Sequence, residues 1–400
     1  MRIGMLADAY KPYISGVTNY IAINKEALEK IGHEVYVFTF GYEDYQDDEP
    51  RVIRSKGLPV LNTGFYISLR YNNSAIRLVR TMDVVHVHHP FISGALALRY
   101  CRPRGIPIVF TNHTRYDLYA HVYAPLVPDA ISETAIQAYL PVYCRSIDLV
   151  VSPSPGMKEV LQRFGVDSPI EVVPNGVDIR PFQNPTLPRD RAELGYDPED
   201  VILVFVGRLG LEKNVQFLLR AFASTANAYE NVRLMLIGDG PDRENLRSLA
   251  SQLKIDHRVT FIGKVPYPEI PRYLACADAF VTASVTEVHP LTVIEAMAGG
   301  LPVLGIQSPG VGDTVKDGYT GLLAASEDLA AFTAKMVRLV VDHGKRRQMG
   351  AQARLEAEKY AIERTSQVML EHYERLIEQA AKKNGADNQR TKRRMRGIGQ

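Results

Sequence analysis

Residues 201–206, Val-Ile-Leu-Val-Phe-Val, form an unbroken apolar run, and Gly207-Arg208-Leu-Gly-Leu-Glu212-Lys213-Asn214 follows it directly. Such a run has no polar face to offer water, so it predicts a strand covered on both sides. The glycine-containing stretch predicts a loop that leads into a helix. Strand, loop and helix make the half-unit of a parallel sheet, and the alternation extends in both directions. Downstream it predicts strands over Val232–Ile237, Val259–Ile262, Ala279–Thr282 and Pro302–Ile306. Upstream it predicts strands over Arg2–Ala7, Glu34–Phe40, Asp83–His88, Pro107–Thr111, Leu149–Ser152 and Ile170–Val173, with helical segments such as Val17–Ile31, Phe91–Cys101 and Gly156–Phe164. Between the two series lies Asp178–Asp190, polar and holding Pro181, Pro185 and Pro188, which reads as a linker.

The expected fold class is therefore α/β, with two doubly wound domains facing across a cleft. In such sheets ligands bind beyond the carboxyl ends of the strands. We expect a first domain over 1–180 and a second over 181–359. The periodic stretch Glu363–Ala381, with Val368, Met369, Tyr373 and Ile377, predicts an amphipathic helix packed on one domain or across both.

Composition narrows the function. The 400 residues carry 47 Lys+Arg against 45 Asp+Glu, a formal charge of +2, which excludes a generally basic nucleic-acid binder and a highly charged disordered chain. Cys101, Cys144 and Cys276 are odd in number and widely spaced, so they form neither a disulfide framework nor a zinc-ligand pattern, and they read as small buried hydrophobes. The N-terminus reads as a strand and not a signal peptide, and no run of about 18 apolar residues spans a bilayer. A cytoplasmic location follows as an expectation. The last 20 residues, 381–400, hold seven Lys/Arg and one Asp, so the rest of the chain sums to −4. We expect 382–400 to be a basic disordered tail: a solvated end, or a polybasic segment drawn to anionic lipid or nucleic acid.

Four stretches carry candidate chemistry. After the first strand, Asp8-Ala-Tyr10-Lys-Pro12-Tyr-Ile-Ser-Gly16 brings a glycine to a helix entry, where backbone N–H groups suit an anion. No G-x-G-x-x-G occurs, which counts against a nicotinamide or flavin dehydrogenase. In the second stretch Arg208 and Lys213 lie five residues apart in a strand-to-helix loop. They are either solvated cations or a pair that neutralises a diphosphate. In the third, Ser284–Pro302, Pro290 suits a helix start, with free N–H groups just after Glu287. Glu295 stands in an otherwise small, apolar helix, where a carboxylate needs a partner such as a ligand hydroxyl. The fourth stretch places His113 at the end of a predicted strand, as a structural histidine or as a contact to a reacting sugar. His86, His88 and His89 raise the question of a metal, but alternate strand residues face opposite ways and no carboxylate partner is evident, so no metal is expected.

Taken together and in order, these motifs resemble the retaining glycosyltransferases of the GT-B fold, in the family four group. The resemblance rests on Glu287-x7-Glu295, on Gly207-Arg208…Glu212-Lys213-Asn214, on Val172-Val-Pro-Asn-Gly-Val-Asp178 and on Tyr10…Pro12…Gly16-Val17. It covers roughly residues 1–380. It implies two Rossmann-like domains, with a C-terminal helix, 360–381, crossing back to the first. It implies that Arg208 and Lys213 hold the donor diphosphate and Glu295 the ribose. Glu287 and the following His289, Pro290, Leu291 and Thr292 would hold the donor sugar. Gly16 would approach the phosphates, Gly263-Lys264-Val265 would line the base pocket, and His113 would lie near the transferred sugar. The implied mechanism is metal-independent transfer with retention, and a covalent intermediate on Glu287 is the less favoured scheme. The family often has Gly and Phe where this chain has Val288 and His289, and Gly-Gly where it has Ser15-Gly16.

Within that group, Ser-Val-Thr-Glu287 with Asn-His113-Thr-Arg-Tyr116-Asp resembles the diacylglycerol glucosyltransferases. The expectation is glucose transfer from UDP-glucose onto 1,2-diacylglycerol, with no cofactor beyond the nucleotide-sugar donor. Residues 51–120 carry ten Lys/Arg and two Asp/Glu, interleaved with Phe65, Tyr66, Ile67, Leu69, Tyr71, Tyr116, Leu118 and Tyr119, with Tyr123 just beyond. They read as ordinary surface and core, or as the interface to a lipid acceptor and an anionic membrane surface. No nucleic-acid partner is expected. A phosphatidylinositol mannosyltransferase, a polysaccharide-building transferase and a sugar-nucleotide epimerase stay open as alternatives.

Overall fold

The apolar runs form two separate parallel sheets in the computed structural model, which describes residues 1–42, 45–59, 66–116, 118 and 129–397. The chain divides into two units. The first is Met1–Pro153 with Lys158–Gly176 and Glu363–Gln400; the second is Ser154–Met157 with Val177–Ile362.

The first unit holds β1 (Arg2–Leu6), β2 (Glu34–Gly41), β3 (Val52–Lys56), the short antiparallel pair β4 (Leu58–Pro59) and β5 (Tyr66–Ile67), then β6 (Val84–Val87), β7 (Ile108–Thr111), β8 (Leu149–Ser152) and β9 (Ile170–Val172). Its main sheet has the order β3-β2-β1-β6-β7-β8-β9, all parallel. The edge strand β3 went unpredicted, because Val-Ile-Arg-Ser-Lys pairs on one side only and keeps just two apolar residues.

The second unit holds β10 (Val201–Val206), β11 (Val232–Ile237), β12 (Val259–Gly263), β13 (Ala279–Val281), β14 (Val303–Ile306) and β15 (Gly321–Ala324), in the order β12-β11-β10-β13-β14-β15. Alternation along β10 explains its unbroken apolarity. Leu203 and Phe205 join a core with Leu218, Leu219 and Phe222 of the helix Val215–Ala228. Ile202 and Val204 join a second core with Ile294 and Met297 of the helix Leu291–Ala298. Each such side chain contributes about 1.5–3 kcal/mol of burial, so both faces of the sheet are held. β15 was also missed: Gly-Leu-Leu-Ala is four residues long and follows a turn-rich stretch.

Three expectations are corrected. Asp178–Asp190 is not a free linker, since Ile179 and Phe182 are buried in the second unit's core. The changeover accordingly falls at Gly176/Val177, and not after 180. The last helix runs over Ile362–Gly397, continuing through the basic segment in which no regular structure was expected. Ala, Lys, Gln, Arg and Met are good helix formers, and the helix is already nucleated by packing. Its Met369, Leu370, Tyr373 and Leu376 join Ile3, Val37 and Val109 in the first unit's core. The C-terminal helix thus returns to the first unit. The three cysteines are buried and free. Among the described residues, no helix is long and apolar enough to cross a membrane.

Candidate active site

Each sheet has one place where successive connections run in opposite directions. In the second unit this point lies between β10 and β13, which pair directly. Loops leaving the carboxyl ends of two such strands diverge and open a crevice. Gly207–Asn214 follows β10, and Ser284–Pro290 follows β13, so topology alone brings the two predicted stretches together.

Hydrogen bonds fix the meeting. Ser284 Oγ and Thr286 Oγ1 both donate to the Glu212 carbonyl, at 3.4 and 3.3 Å. Lys213 Nζ lies 2.5 Å from Glu287 Oε1, and both side chains are largely withdrawn from solvent. Arg208 stands apart from this pair: its side chain is 59% exposed and sits 3.9 Å from the Glu212 carboxylate. The two predicted cations are therefore on one loop, each beside its own carboxylate.

Pro290 is the cap of the helix Leu291–Ala298, with extended backbone. Proline has no N–H of its own, and the N–H groups of Leu291 and Thr292 fall in the first turn, where they have no intrahelical acceptor. Glu295, 3% exposed, accepts a hydrogen bond from Tyr267 Oη at 2.9 Å. Burial pushes the Glu295 carboxyl up to about 7, with the Tyr267 hydrogen bond acting against the rise. Val265 packs against the apolar cluster that holds this helix. His289 is buried with its ring edge-on to Tyr360 at 5.0 Å. Burial pushes it down to about 4 against the pull of Asp313, so it is neutral at pH 7 and brings no positive charge.

Three supports escaped sequence reasoning. Tyr267 is one of 21 tyrosines and carries no local signal. Gly238 follows β11 at φ +137, and a methyl group there would fall 1.8 Å from the Gly207 carbonyl oxygen. With Leu209 N–H donating to Asp239 O and Asp242 N–H to Leu209 O, this loop clamps the one that bears Arg208. The Gly-Asp-Gly-Pro run directly after a strand was the available signal. Gly310, at φ +83, lies so close that a methyl would sit 2.5 Å from the Glu287 carbonyl oxygen. It supports the Glu287 loop from beneath.

In the first unit the connections reverse between β1 and β6. Asp8, after β1, is 5% exposed and accepts from Ser93 N–H (2.7 Å) and Ser93 Oγ (2.5 Å) at the start of the helix Ile92–Tyr100. Its own N–H donates to His89 Nδ1. Tyr10 Oη donates to Glu49, which also meets Lys11 at 3.0 Å. Gly16 is the first residue of the helix Gly16–Lys30, capped by Ser15, and a methyl there would meet nothing within 4 Å. His113 follows β7. Its Nε2 lies 3.1 Å from His88 Nδ1, and the Tyr20 ring packs on it at 4.6 Å. His86 bonds Tyr373 Oη and Thr111 Oγ1, both at 2.6 Å. Burial holds His86, His88 and His113 all below the usual histidine range. His86 and His88 share a face, with rings 4.3 Å apart, while His89 turns to Asp8. Among the described residues no three His, Cys, Asp or Glu side chains gather as a metal site.

The basic, tyrosine-rich stretch is only partly a surface. Tyr71 and Tyr116 are fully buried, stacked on Phe40 at 5.3 Å and edge-on to Phe91 at 5.2 Å, so they belong to the core. Arg54, Arg102 and Arg51 pair with Asp47, Asp148 and Glu29, acids outside the stretch that a local charge count omits. Leu58 and Leu69 stand out at 74% and 84% exposed. Phe65, Tyr119 and Tyr123 lie outside the described residues, as do the side chains from 384 onward.

Comparison with known proteins places the chain in a family and a fold. The family model described as glycosyl transferases group 1 matches residues 188–356, and that of glycosyltransferase family 4 matches residues 14–180. The alpha-monoglucosyldiacylglycerol synthase of Acholeplasma laidlawii is 32% identical over 338 residues, 80% of this chain and 84% of that protein. The synthase of the same name from Streptococcus pneumoniae is 30% identical over 347 residues, 82% of this chain and 77% of that protein. Among solved structures, sucrose-phosphate synthase from Thermosynechococcus elongatus aligns with a TM-score of 0.78 at 22% identity, covering 94% of this chain and 98% of that one. Anabaena HepE, solved with UDP and glucose, aligns at 0.73 and 19% identity, covering 93% and 99%. These two neighbours show the same fold, with its two Rossmann-like domains. The chain belongs to the family four, group 1 glycosyltransferases of the GT-B fold.

Proposed function

We propose that this chain transfers glucose from UDP-glucose, with retention and without a metal ion, onto 1,2-diacylglycerol at the cytoplasmic face of the membrane, where it associates peripherally. The observation that carries the reaction is the cluster at the β10/β13 reversal, where Lys213, Glu287 and the first turn of the helix Leu291–Ala298 come together. Similarity to the two monoglucosyldiacylglycerol synthases supports the acceptor class.

In this reading Lys213 and Arg208 neutralise the leaving diphosphate, aided by the first-turn N–H groups of Leu291 and Thr292. Glu295 accepts from the ribose hydroxyls, and Val265 borders the base. Glu287 and the backbone from His289 on hold the sugar, His289 as a neutral group. Gly16 leaves room for phosphate at the start of its helix, and His113 contacts the transferred sugar. The acceptor hydroxyl attacks on the leaving-group face.

The test is transfer of radiolabel from a panel of UDP- and GDP-sugars, with and without diacylglycerol vesicles, in EDTA throughout. Lipid-dependent, EDTA-resistant transfer from UDP-glucose is expected. Efficient transfer to a water-soluble acceptor with no response to lipid would keep the reaction and overturn the acceptor.

A further inference from the structure

His88 is 0% exposed, on the β6 loop, and its ring is held on three sides. The His86 ring lies against it, tilted, at 4.3 Å, Tyr20 meets it edge-on at 5.7 Å, and its Nδ1 bonds His113 Nε2 at 3.1 Å. Its other nitrogen, Nε2, is buried and has no hydrogen-bond partner among the described residues. A neutral imidazole has one N–H and one lone pair, so one of the two His88 nitrogens must carry the proton. With the proton on Nε2, a buried donor would be orphaned, which folded proteins rarely tolerate. With the proton on Nδ1, it is donated to His113, and only a lone pair is left without a partner.

We propose that His88 is a positioning residue for His113: its Nδ1–H donates to His113 Nε2 and so fixes His113 as the Nδ1–H tautomer. His113 then has one defined donor, Nδ1–H, which has no partner among the described residues and is free to bond an oxygen of the transferred sugar. Nε2 of His113 is occupied and takes no proton from the substrate. This role rests on the glycosyl-transfer reading, but the tautomer does not.

Two-bond ¹H–¹⁵N correlation spectra of the histidine side chains, on the full chain, read the tautomer without any substrate. The wild type is expected to show His113 protonated at Nδ1 and bare at Nε2. Three variants then separate positioning from packing. In His88→Asn the amide nitrogen stands where Nδ1 stood and preserves the donor. In His88→Gln it reaches the place of Nε2 and does not. His88→Leu has no donor. We expect His88→Asn to keep the His113 tautomer and transfer within about threefold of wild type. We expect His88→Gln and His88→Leu to release His113 toward the Nε2–H form and lower kcat by about tenfold or more, with the donor KM changed by less than about threefold. If His88→Leu fails to fold, His88→Gln carries the comparison. A wild-type His113 protonated at Nε2, or a His88→Asn variant as impaired as His88→Gln, would overturn the proposal. Absence of transfer by the wild type from every donor would overturn the transfer reading instead, and leave the tautomer assignment standing.

Discussion

Lys213 and Glu287, 74 residues apart in sequence, face each other across 2.5 Å at the ends of β10 and β13. In the proposed reaction, the lysine assigned to the diphosphate is thus already neutralised by the carboxylate assigned to the sugar. The pair ties the two loops together, and under the proposed roles it sets a cost on binding, since phosphates would have to compete with Glu287 for the ammonium.

Removing either partner should have opposite effects on binding. Glu287→Gln frees Lys213 and removes a repelling charge, so UDP is expected to bind about three- to tenfold more tightly by calorimetry while transfer falls. Under the proposed role, Lys213→Ala removes the charge that stabilises the leaving group, with an expected loss of about 10²–10³ in kcat/KM. Weaker UDP binding by Glu287→Gln would show that the pair helps donor binding and does not compete with it.

Glu295 makes stability depend on pH. Its carboxyl is raised by burial to about 7 from an ordinary 4.5. Between those values the folded chain holds a proton that the unfolded chain has lost, so this group's contribution falls as pH rises through that window and is least favourable above 7. Glu295→Gln removes the dependence. Relative to wild type, its Tm is expected to be higher at pH 8 by a few degrees and not higher at pH 5. Its donor KM is expected to rise about tenfold, because an amide is a weaker acceptor for ribose hydroxyls than a carboxylate. Equal Tm differences at both pH values would remove Glu295 as the source.

The fold was legible because parallel strands buried on both faces leave runs that are apolar at nearly every position. Val201–Val206, Val232–Ile237 and Leu149–Ser152 were placed to the residue. An edge strand that keeps few apolar residues escapes this logic, and β3, Val-Ile-Arg-Ser-Lys, was missed for that reason. The meeting of the candidate charged residues was legible in part: Lys213 and Glu287 stand in loops that follow neighbouring strands, and Glu295 is a carboxylate in an otherwise apolar helix. Their supports were not. Tyr267 reaches Glu295 from a loop 28 residues away, and Gly310 is set by the backbone of a strand–helix connection that only the folded sheet brings near Glu287. Tyr71 and Tyr116 misled in the other direction, because a tyrosine in a basic stretch reads alike whether it faces lipid or core.

Gly310 gives a direct test of how tightly the Glu287 loop must be held. At φ +83 any side chain is strained, and a methyl would overlap the Glu287 and Val288 backbone at 2.5–2.7 Å. Gly310→Ala should therefore cost about 1–3 kcal/mol of stability and push Glu287 away from Lys213. Transfer is expected to fall by more than that stability loss explains, measured well below the variant's Tm. Gly16→Ala is the control within the other unit: its methyl meets nothing, so stability should change little in either direction.

Deleting the basic C-terminal segment would separate the proposed membrane attraction from catalysis. Deleting residues 382–400 removes seven Lys/Arg and one Asp and takes the net charge from +2 to −4. Each cation close to an anionic surface contributes about 1 kcal/mol, so even partial engagement of seven implies a loss of well over tenfold in vesicle affinity. The deletion leaves Met369, Leu370, Tyr373 and Leu376 in place, so the first unit's core should survive it. The expected result is a large loss of co-sedimentation with anionic vesicles at low salt, little change with neutral vesicles, and near-normal transfer to diacylglycerol dispersed in detergent. Raising the salt should erase the difference between full-length and truncated chains, because attraction at this range is screened within about 8 Å at physiological ionic strength. If both chains bound anionic vesicles equally, the attraction would have to come from residues 1–381, where the exposed Leu58 and Leu69 would be the side chains to change next.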